Sequence, residues 1–383
     1  MKMLRITRGE ESKLTGWYFE IDRGLLGCVL VLIIVGLMAL VSVGSAQAAY
    51  LGQPWYFFLQ KALLPYTIGL LALFGFSMLN KKQVIRISAI GLLFGIVALI
   101  FTFIDKHPKN GSLRWLFING FSFMPSDVMK PFFIVLTAWF LSKMHVLYGS
   151  DIFLNKEAWK LKQISWWPYL IVFFLCVFLI FLHPDVGTAL LYFGVFVVML
   201  FVAGFPYKLL PIIFGGIIAM GVLAISFMPH IQNRAAHIFD IARGSQAWFS
   251  INSIRHGGLF GAREESYVKD VLPESTNDFV YSAIAEDWGA ISACVLIVLL
   301  FVILNKLIKH ASMARDDFVV YAITGAAALF GGQICFNLMT ALHLFIDKGM
   351  TLPFVSYGGV SFIVFCVLFG MVLALIREDT WNT

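Results

Sequence analysis

The sequence predicts an all-α polytopic membrane helical bundle, with about ten transmembrane helices and a long extracytoplasmic loop before helix 8. Three observations predict it. Of 383 residues, 60% are hydrophobic and only 13% are charged, against about 25% charged in an average soluble domain. Apolar runs recur along the whole chain, giving a mean hydropathy of +0.86. Basic residues gather in alternate loops. The net charge of +6 therefore marks orientation, because Lys and Arg stay on the cytoplasmic side, and it does not point to nucleic acid.

A span requires roughly 20 apolar residues at about 1.5 Å each. The first is expected at 24–48, behind an N-terminal arm (1–23) carrying Lys2, Arg5, Arg8, Lys13 and Arg23. Its end, Ala46-Gln47-Ala48, resembles a signal-peptide cleavage site. The run is too long for a signal-peptide core, so an uncleaved helix is expected. The following spans are 56–79, 85–104, 125–145, 164–182, 186–204, 207–228, 278–305, 318–343 and 358–376. Pro184 breaks one long apolar run into two of these spans at a tight turn. Lys81, Lys82 and Arg86, then Lys143, Lys156, Lys160 and Lys162, then Lys208, then Lys306, Lys309 and Arg315, and finally Arg377 fall on the side of the N-terminal arm. The 49–55 loop opposite carries no basic residue. Both termini are thus expected in the cytoplasm. Residues 24–377 read as a single transmembrane domain, 229–277 as its large outer loop and 378–383 as a cytoplasmic tail. A loop of that length in a compact bundle is usually functional or disordered. The five cysteines lie inside apolar segments without metal-ligand spacing.

Four polar interruptions are candidates for chemistry. The first runs from Asn110-Gly111 through Arg114 to Pro125-Ser126-Asp127 and Lys130. Pro125 suits a first helical turn. Asp127 and Lys130 are three residues apart, so they share a helix face and can pair. Asp127 reads equally as a structural partner and a functional group. Lys130 lies a turn inside an apolar span, where an ionisable residue is costly and functional by default. With Arg114 it makes two cations suited to a phosphate. The second is His183-Pro184-Asp185, where Asp185 reads best as a helix cap and His183 as a hydrogen-bonded turn residue.

The third interruption joins the outer loop to the helix after it: Gly257-Gly258-Leu259-Phe260-Gly261, then Leu272-Pro273-Glu274 to Asp278-Phe279, then Glu286-Asp287. Asp278 reads either as a helix N-terminal residue favoured by the dipole or as a carboxylate with general-base capacity in a partly dry cleft. One of Glu286 and Asp287 is expected to pair structurally inside the bundle. The fourth is Asp347-Lys348-Gly349 through Ser356 to Gly359. Gly and Pro here predict irregular backbone at membrane depth, tolerated where it lines a cavity. Gln333 and Asn337, one turn apart in the preceding span, are expected to satisfy that backbone. Lys348 is a third outer cation. Phosphate-binding loops with Lys and Ser or Thr, HExxH and G-x-S-x-G are all missing, so ATP-driven transport and zinc hydrolysis have no sequence support.

Together these stretches resemble the SEDS family (shape, elongation, division and sporulation), polytopic glycosyltransferases that polymerise peptidoglycan. The resemblance runs from Asp22 to the last span. The Lys348–Pro353 stretch and Met129-Lys130-Pro131, with Ala138-Trp139 downstream, look more like the division branch than the elongation branch. It implies lipid II polymerisation at the outer face of the bacterial cytoplasmic (inner) membrane, for septal wall in cell division. Asp278 matches the catalytic Asp position, and Arg114, Lys130, Lys348 and Ser356 match positions expected to bind lipid II and its pyrophosphate. Asp127, Asp185, Glu286, Gln333 and Asn337 are expected to support them. The implied partners are lipid II, undecaprenyl-pyrophosphate-linked glycan, membrane lipid, a class B penicillin-binding protein (a transpeptidase) and other divisome proteins. No ligand cluster demands a metal, although a divalent cation (Mg or Mn) could assist the leaving group.

Several positions depart from the family pattern. Met124 stands for a common Gln, Asp127 for Glu, His183 for Gln and Asn277 for Thr. Ala262-Arg263-Glu264-Glu265 replaces Leu-Gly and a Ser. Two further readings stay open at this point: a flippase for lipid-linked precursor, whose polar openings would lie on both sides, and a noncatalytic division scaffold.

Overall fold

A computed structural model describes residues 13–105, 114–118, 121–149, 151–162, 164–183, 185–209, 244–262, 272, 274–344 and 349–381, with scattered positions between 211 and 226. The main-chain elements are α1 (Lys13–Glu20), α2 (Arg23–Tyr50), α3 (Phe57–Ser77), α4 (Lys81–Asp105), β1 (Leu116–Ile118), β2 (Phe121–Phe123), α5 (Pro125–Val128), α6 (Lys130–Tyr148), α7 (Trp166–Leu182), α8 (Val186–Val202), α9 (Gln246–Gly257), α10 (Val280–Met313), α11 (Asp317–Ala341) and α12 (Gly359–Trp381). Seven helical stretches are long and apolar enough to cross a membrane, counting Pro125–Tyr148 as one, and α7 and α8 are shorter apolar helices. Nine of the ten expected spans thus appear as helices among the described residues. More than half of the tenth, 207–228, lies outside them, and its described positions from 211 on are helical.

The apolar composition explains which surfaces meet. Ile34, Leu71, Ile90, Phe174, Val295 and Phe301 are all more than half exposed. In water such a surface would be a liability; in a bilayer it is the lipid face. α11 and α12 are the most deeply buried spans. α12 packs along α3, while α11 is covered by α6, α8 and α10. The polar interruptions are therefore drawn toward the centre of the bundle.

Helix starts follow local chemistry. Asp22 caps α2 by accepting the Leu25 N–H at 2.6 Å, and Asp185 caps α8 through the Thr188 N–H at 3.2 Å. His183 ends α7, with Nδ1 2.7 Å from the Leu179 carbonyl, and its Nε2 contacts Thr102. Both the cap and the turn histidine are as expected.

The structure differs from the sequence expectation in three places. The segment before α5 forms a short antiparallel hairpin, β1 with β2. The long 229–277 connection contains a regular helix, α9, capped by Ser245. α10 continues to Met313, so the cytoplasmic connection expected from 306 is mostly helix. α10 is also kinked: Gly289 adopts φ +82°, a left-handed conformation that suits glycine. Backbone groups at the kink are satisfied by the loop itself. The Ala290 N–H donates to the Gly258 carbonyl at 2.9 Å, and the Ala262 N–H donates to the Glu286 carbonyl at 2.8 Å. In a bilayer, backbone groups released by a kink need such partners.

Candidate active site

Asp278 lies in the turn before α10, half-buried. The preceding residues are tied to the segment between α11 and α12. The Ser356 hydroxyl donates to the Asn277 carbonyl at 2.5 Å and accepts the Leu352 N–H at 2.7 Å. The Tyr357 N–H donates to the Thr276 carbonyl at 2.8 Å. From α11, the Asn337 carboxamide donates to the carbonyls of Asp278 (2.9 Å) and Met350 (2.7 Å). Residues 349–358, irregular in backbone, thus form a strap held by side chains from α11 and by main-chain carbonyls of the turn carrying Asp278. Phe354 adopts φ +63° within it, costly for a bulky residue. Its ring is wedged among Phe362, Phe365 and Phe369, which holds the strained backbone in place.

The strap approaches Asp278 at Gly349. A Cβ built there would collide with the Asp278 carboxylate. Only glycine lets the carboxylate lie against that part of the main chain.

Lys130 anchors the strap from the other side. Its ammonium is 2.6 Å from Asp127 and 3.2 Å from the Gln333 side-chain oxygen, and the residue is 5% exposed. The Gln333 amide then donates to the Thr351 carbonyl (2.9 Å) and hydroxyl (3.1 Å), and Thr351 meets the Ser361 hydroxyl at 2.7 Å. An ammonium has three donors. Two are used here, by Asp127 and Gln333.

The expected residues therefore separate into groups. Asp278, Ser356, Asn337, Gln333, Lys130 and Asp127 belong to one connected network. Ser356 joins the strap to the turn: its proton goes to the Asn277 carbonyl and the residue is 4% exposed. Arg114 is half-buried at the entry to the hairpin, whose first strand packs against α4. Asp185 serves as the α8 cap, near His183, which also feels the charge of Arg114, and Lys348 lies outside the described residues. Glu286 forms a second cluster, fully buried and 3.0 Å from His256 Nδ1 of α9. Its neighbour Asp287 contacts the Ser42 hydroxyl of α2. Among the described residues, no three His, Cys, Asp or Glu side chains gather as metal ligands.

Sequence reasoning missed Thr351, Ser361, His256, Ser42 and Gln47, whose side chain accepts the Thr276 hydroxyl at 2.7 Å. Gln47 left a signal, being the one carboxamide in the first span.

A family model described as cell cycle protein, covering FtsW, RodA and SpoVE, matches residues 23–380. The chain belongs to this family. It is the SEDS family that the four polar interruptions resemble, and the chain is FtsW-like within it. One relative, from Caulobacter vibrioides, is named a probable peptidoglycan glycosyltransferase FtsW; it is 30% identical over 97% of this chain and 93% of its own. A second so named, from Thiomicrospira cyclica, is 29% identical over 94% of each chain. Among solved structures, the SEDS fold recurs in a chain of a peptidoglycan synthase complex that coordinates polymerization and crosslinking. The TM-score is 0.74 at 23% identity, over 94% of this chain and 99% of that one. It recurs in Thermus thermophilus RodA, with a TM-score of 0.68 at 24% identity over 94% and 97%. The polytopic helical fold is thus shared with both.

Proposed function

We propose that the chain is a peptidoglycan glycosyltransferase that polymerises lipid II at the outer face of the cytoplasmic membrane, for septal wall in cell division. The observation that carries this reading is the Asp278 carboxylate, held against Gly349 at the end of α10 opposite the basic stretch from Lys306 to Arg315. The names of its FtsW relatives support the reaction class.

In the proposed step, Asp278 takes the proton of the sugar 4-hydroxyl of an incoming lipid II. The oxygen forms a bond to the anomeric carbon of the growing glycan. The bond from that carbon to the pyrophosphate breaks, and undecaprenyl pyrophosphate leaves with the electron pair. General-base help contributes about 10²–10⁴-fold. The leaving group gathers negative charge, which Arg114, Lys130 and Lys348 would stabilise. Apart from Asp278, the network's one carboxylate, Asp127, is engaged by Lys130. A divalent cation such as magnesium would add charge stabilisation at the leaving pyrophosphate; no step requires it.

The likeness to a chain from a synthase complex that couples polymerization to crosslinking supports a crosslinking partner; we assign it as a class B penicillin-binding protein, with other divisome proteins at the septum. The charge pattern supports cytoplasmic termini. The test is polymerisation of lipid II by the purified chain, alone and with its transpeptidase. Asp278→Asn is expected to lose at least 10²-fold in rate with lipid II binding intact. Wild-type polymerisation by that variant would remove Asp278 as the base.

A further inference from the structure

The opposite end of the bundle holds a second polar cavity, of about 440 Å³. The last turns of α10 supply Lys306, Lys309 and His310, the turn into α11 supplies Arg315, and Asp22 and Asp379 close it from α2 and α12. Its carboxylates are already engaged. Asp22 accepts the Leu25 N–H and lies 2.7 Å from His310. Asp379 accepts the N–H groups of Arg315 and Asp316, each at 3.1 Å. Lys306 lies over the first turn of α2, beside Asp22. The Lys309 ammonium and the Arg315 guanidinium are exposed and pair with no carboxylate among the described residues.

Cytoplasmic basic residues are expected on any such bundle. On the same side, however, Lys81 is paired with Asp316, and Lys160 and Lys162 with Glu157. At the α10–α11 junction, Lys309 and Arg315 instead border a concavity without a carboxylate partner among the described residues. A water occupies about 30 Å³ of liquid, so the cavity has room for a phosphate, a glycerol and several waters. Met313, Val319, Ile323 and Ile376 line part of the wall and suit the carbon skeleton of such a group. Guanidinium and ammonium are the two phosphate-binding cations, one as a planar fork and one as a point charge.

We propose that this cavity binds a phosphate-bearing anion at the cytoplasmic surface, with Lys309 and Arg315 as its ligands. At the level of the inner headgroups, that anion is the headgroup of an anionic phospholipid.

The experiment places the full chain in nanodiscs of phosphatidylcholine with graded phosphatidylglycerol. It measures bound lipid by native mass spectrometry and melting temperature. One phosphatidylglycerol should be retained saturably. The K309Q/R315Q double variant should weaken that binding roughly thirtyfold, at about 1 kcal/mol for each cation. The K160Q/K162Q double variant removes the same charge away from the cavity and should retain wild-type binding. Equal losses in both double variants would reduce the effect to general surface attraction and overturn the site. A second arm adds millimolar inorganic phosphate to lecithin-only discs. A melting shift there, absent in K309Q/R315Q and without lipid retention, would keep the site and replace the lipid with a soluble phosphate. No saturable response in either arm overturns the proposal. Melting of both variants without added ligand verifies that they fold.

Discussion

The Asn337 carboxamide holds the main-chain carbonyls of Asp278 (2.9 Å) and Met350 (2.7 Å) at the same time. One buried side chain of α11 therefore sets the spacing between the turn carrying the carboxylate and the strap facing it. Asn337→Leu leaves both carbonyls without that donor, at a cost of about 1–3 kcal/mol for each acceptor left unsatisfied. A lower melting temperature and a fall in kcat larger than any change in KM are expected. Unchanged polymerisation kinetics would show that this spacing does not matter to the reaction.

Gly349 provides a sharper probe, because it alters only the space beside Asp278. Gly349→Ala places a methyl group where the carboxylate lies, so the carboxylate or the strap must shift. A misplacement of about 1 Å can cost about 10²-fold in rate. The expected result is a loss of that order with nearly normal melting, read from single-turnover polymerisation.

Asp127 neutralises a cation that is almost fully enclosed. Removing one partner of a buried pair costs about 3–5 kcal/mol; because Asp127 is itself 22% exposed, Asp127→Ala is expected at or below the low end of that range. Asp127→Glu, which restores the residue common in the family, should retain stability. A melting comparison of the two separates the charge from the length of the side chain.

At the other end of α10, the hydrogen bond from His310 holds the Asp22 carboxyl at about 2, below its ordinary 3.8. A depressed folded-state pKa stabilises the fold above the unfolded value, and that contribution disappears as pH falls through the folded value. Asp22→Asn should therefore melt below wild type at neutral pH. The difference should close between about pH 4 and pH 2. A gap that stays constant over this range would remove ionisation of Asp22 as its source.

Much of this architecture was legible because bilayers impose simple rules. Spans read from apolar length agree with the helices at α2, α3, α4 and α11 to within a few residues. The Asp127–Lys130 pair, the Asp185 cap and the service of Gln333 and Asn337 to irregular backbone followed from spacing and from the cost of bare polar groups in lipid. The hairpin at 116–123 was not legible, since three-residue strands carry too little periodicity to register. Nor were the partners of Thr276 and Glu286. Gln47 and His256 are 229 and 30 residues away from them, and no local pattern reports such distances. Ser356 shows a subtler limit: its place in the motif was visible, but only the geometry shows that its proton is already committed.

The strap has a consequence for biogenesis. Asp278 precedes α10, but the groups that organise its turn are Asn337, Gly349 and Ser356, which leave the ribosome some sixty to eighty residues later (59 separate Asp278 from Asn337 and 79 separate Asn277 from Ser356). A nascent chain that has inserted only its first eight spans carries the carboxylate without its setting. Competence should thus arrive late and abruptly, once translation has passed the strap, so that half-made copies in the membrane would not consume precursor.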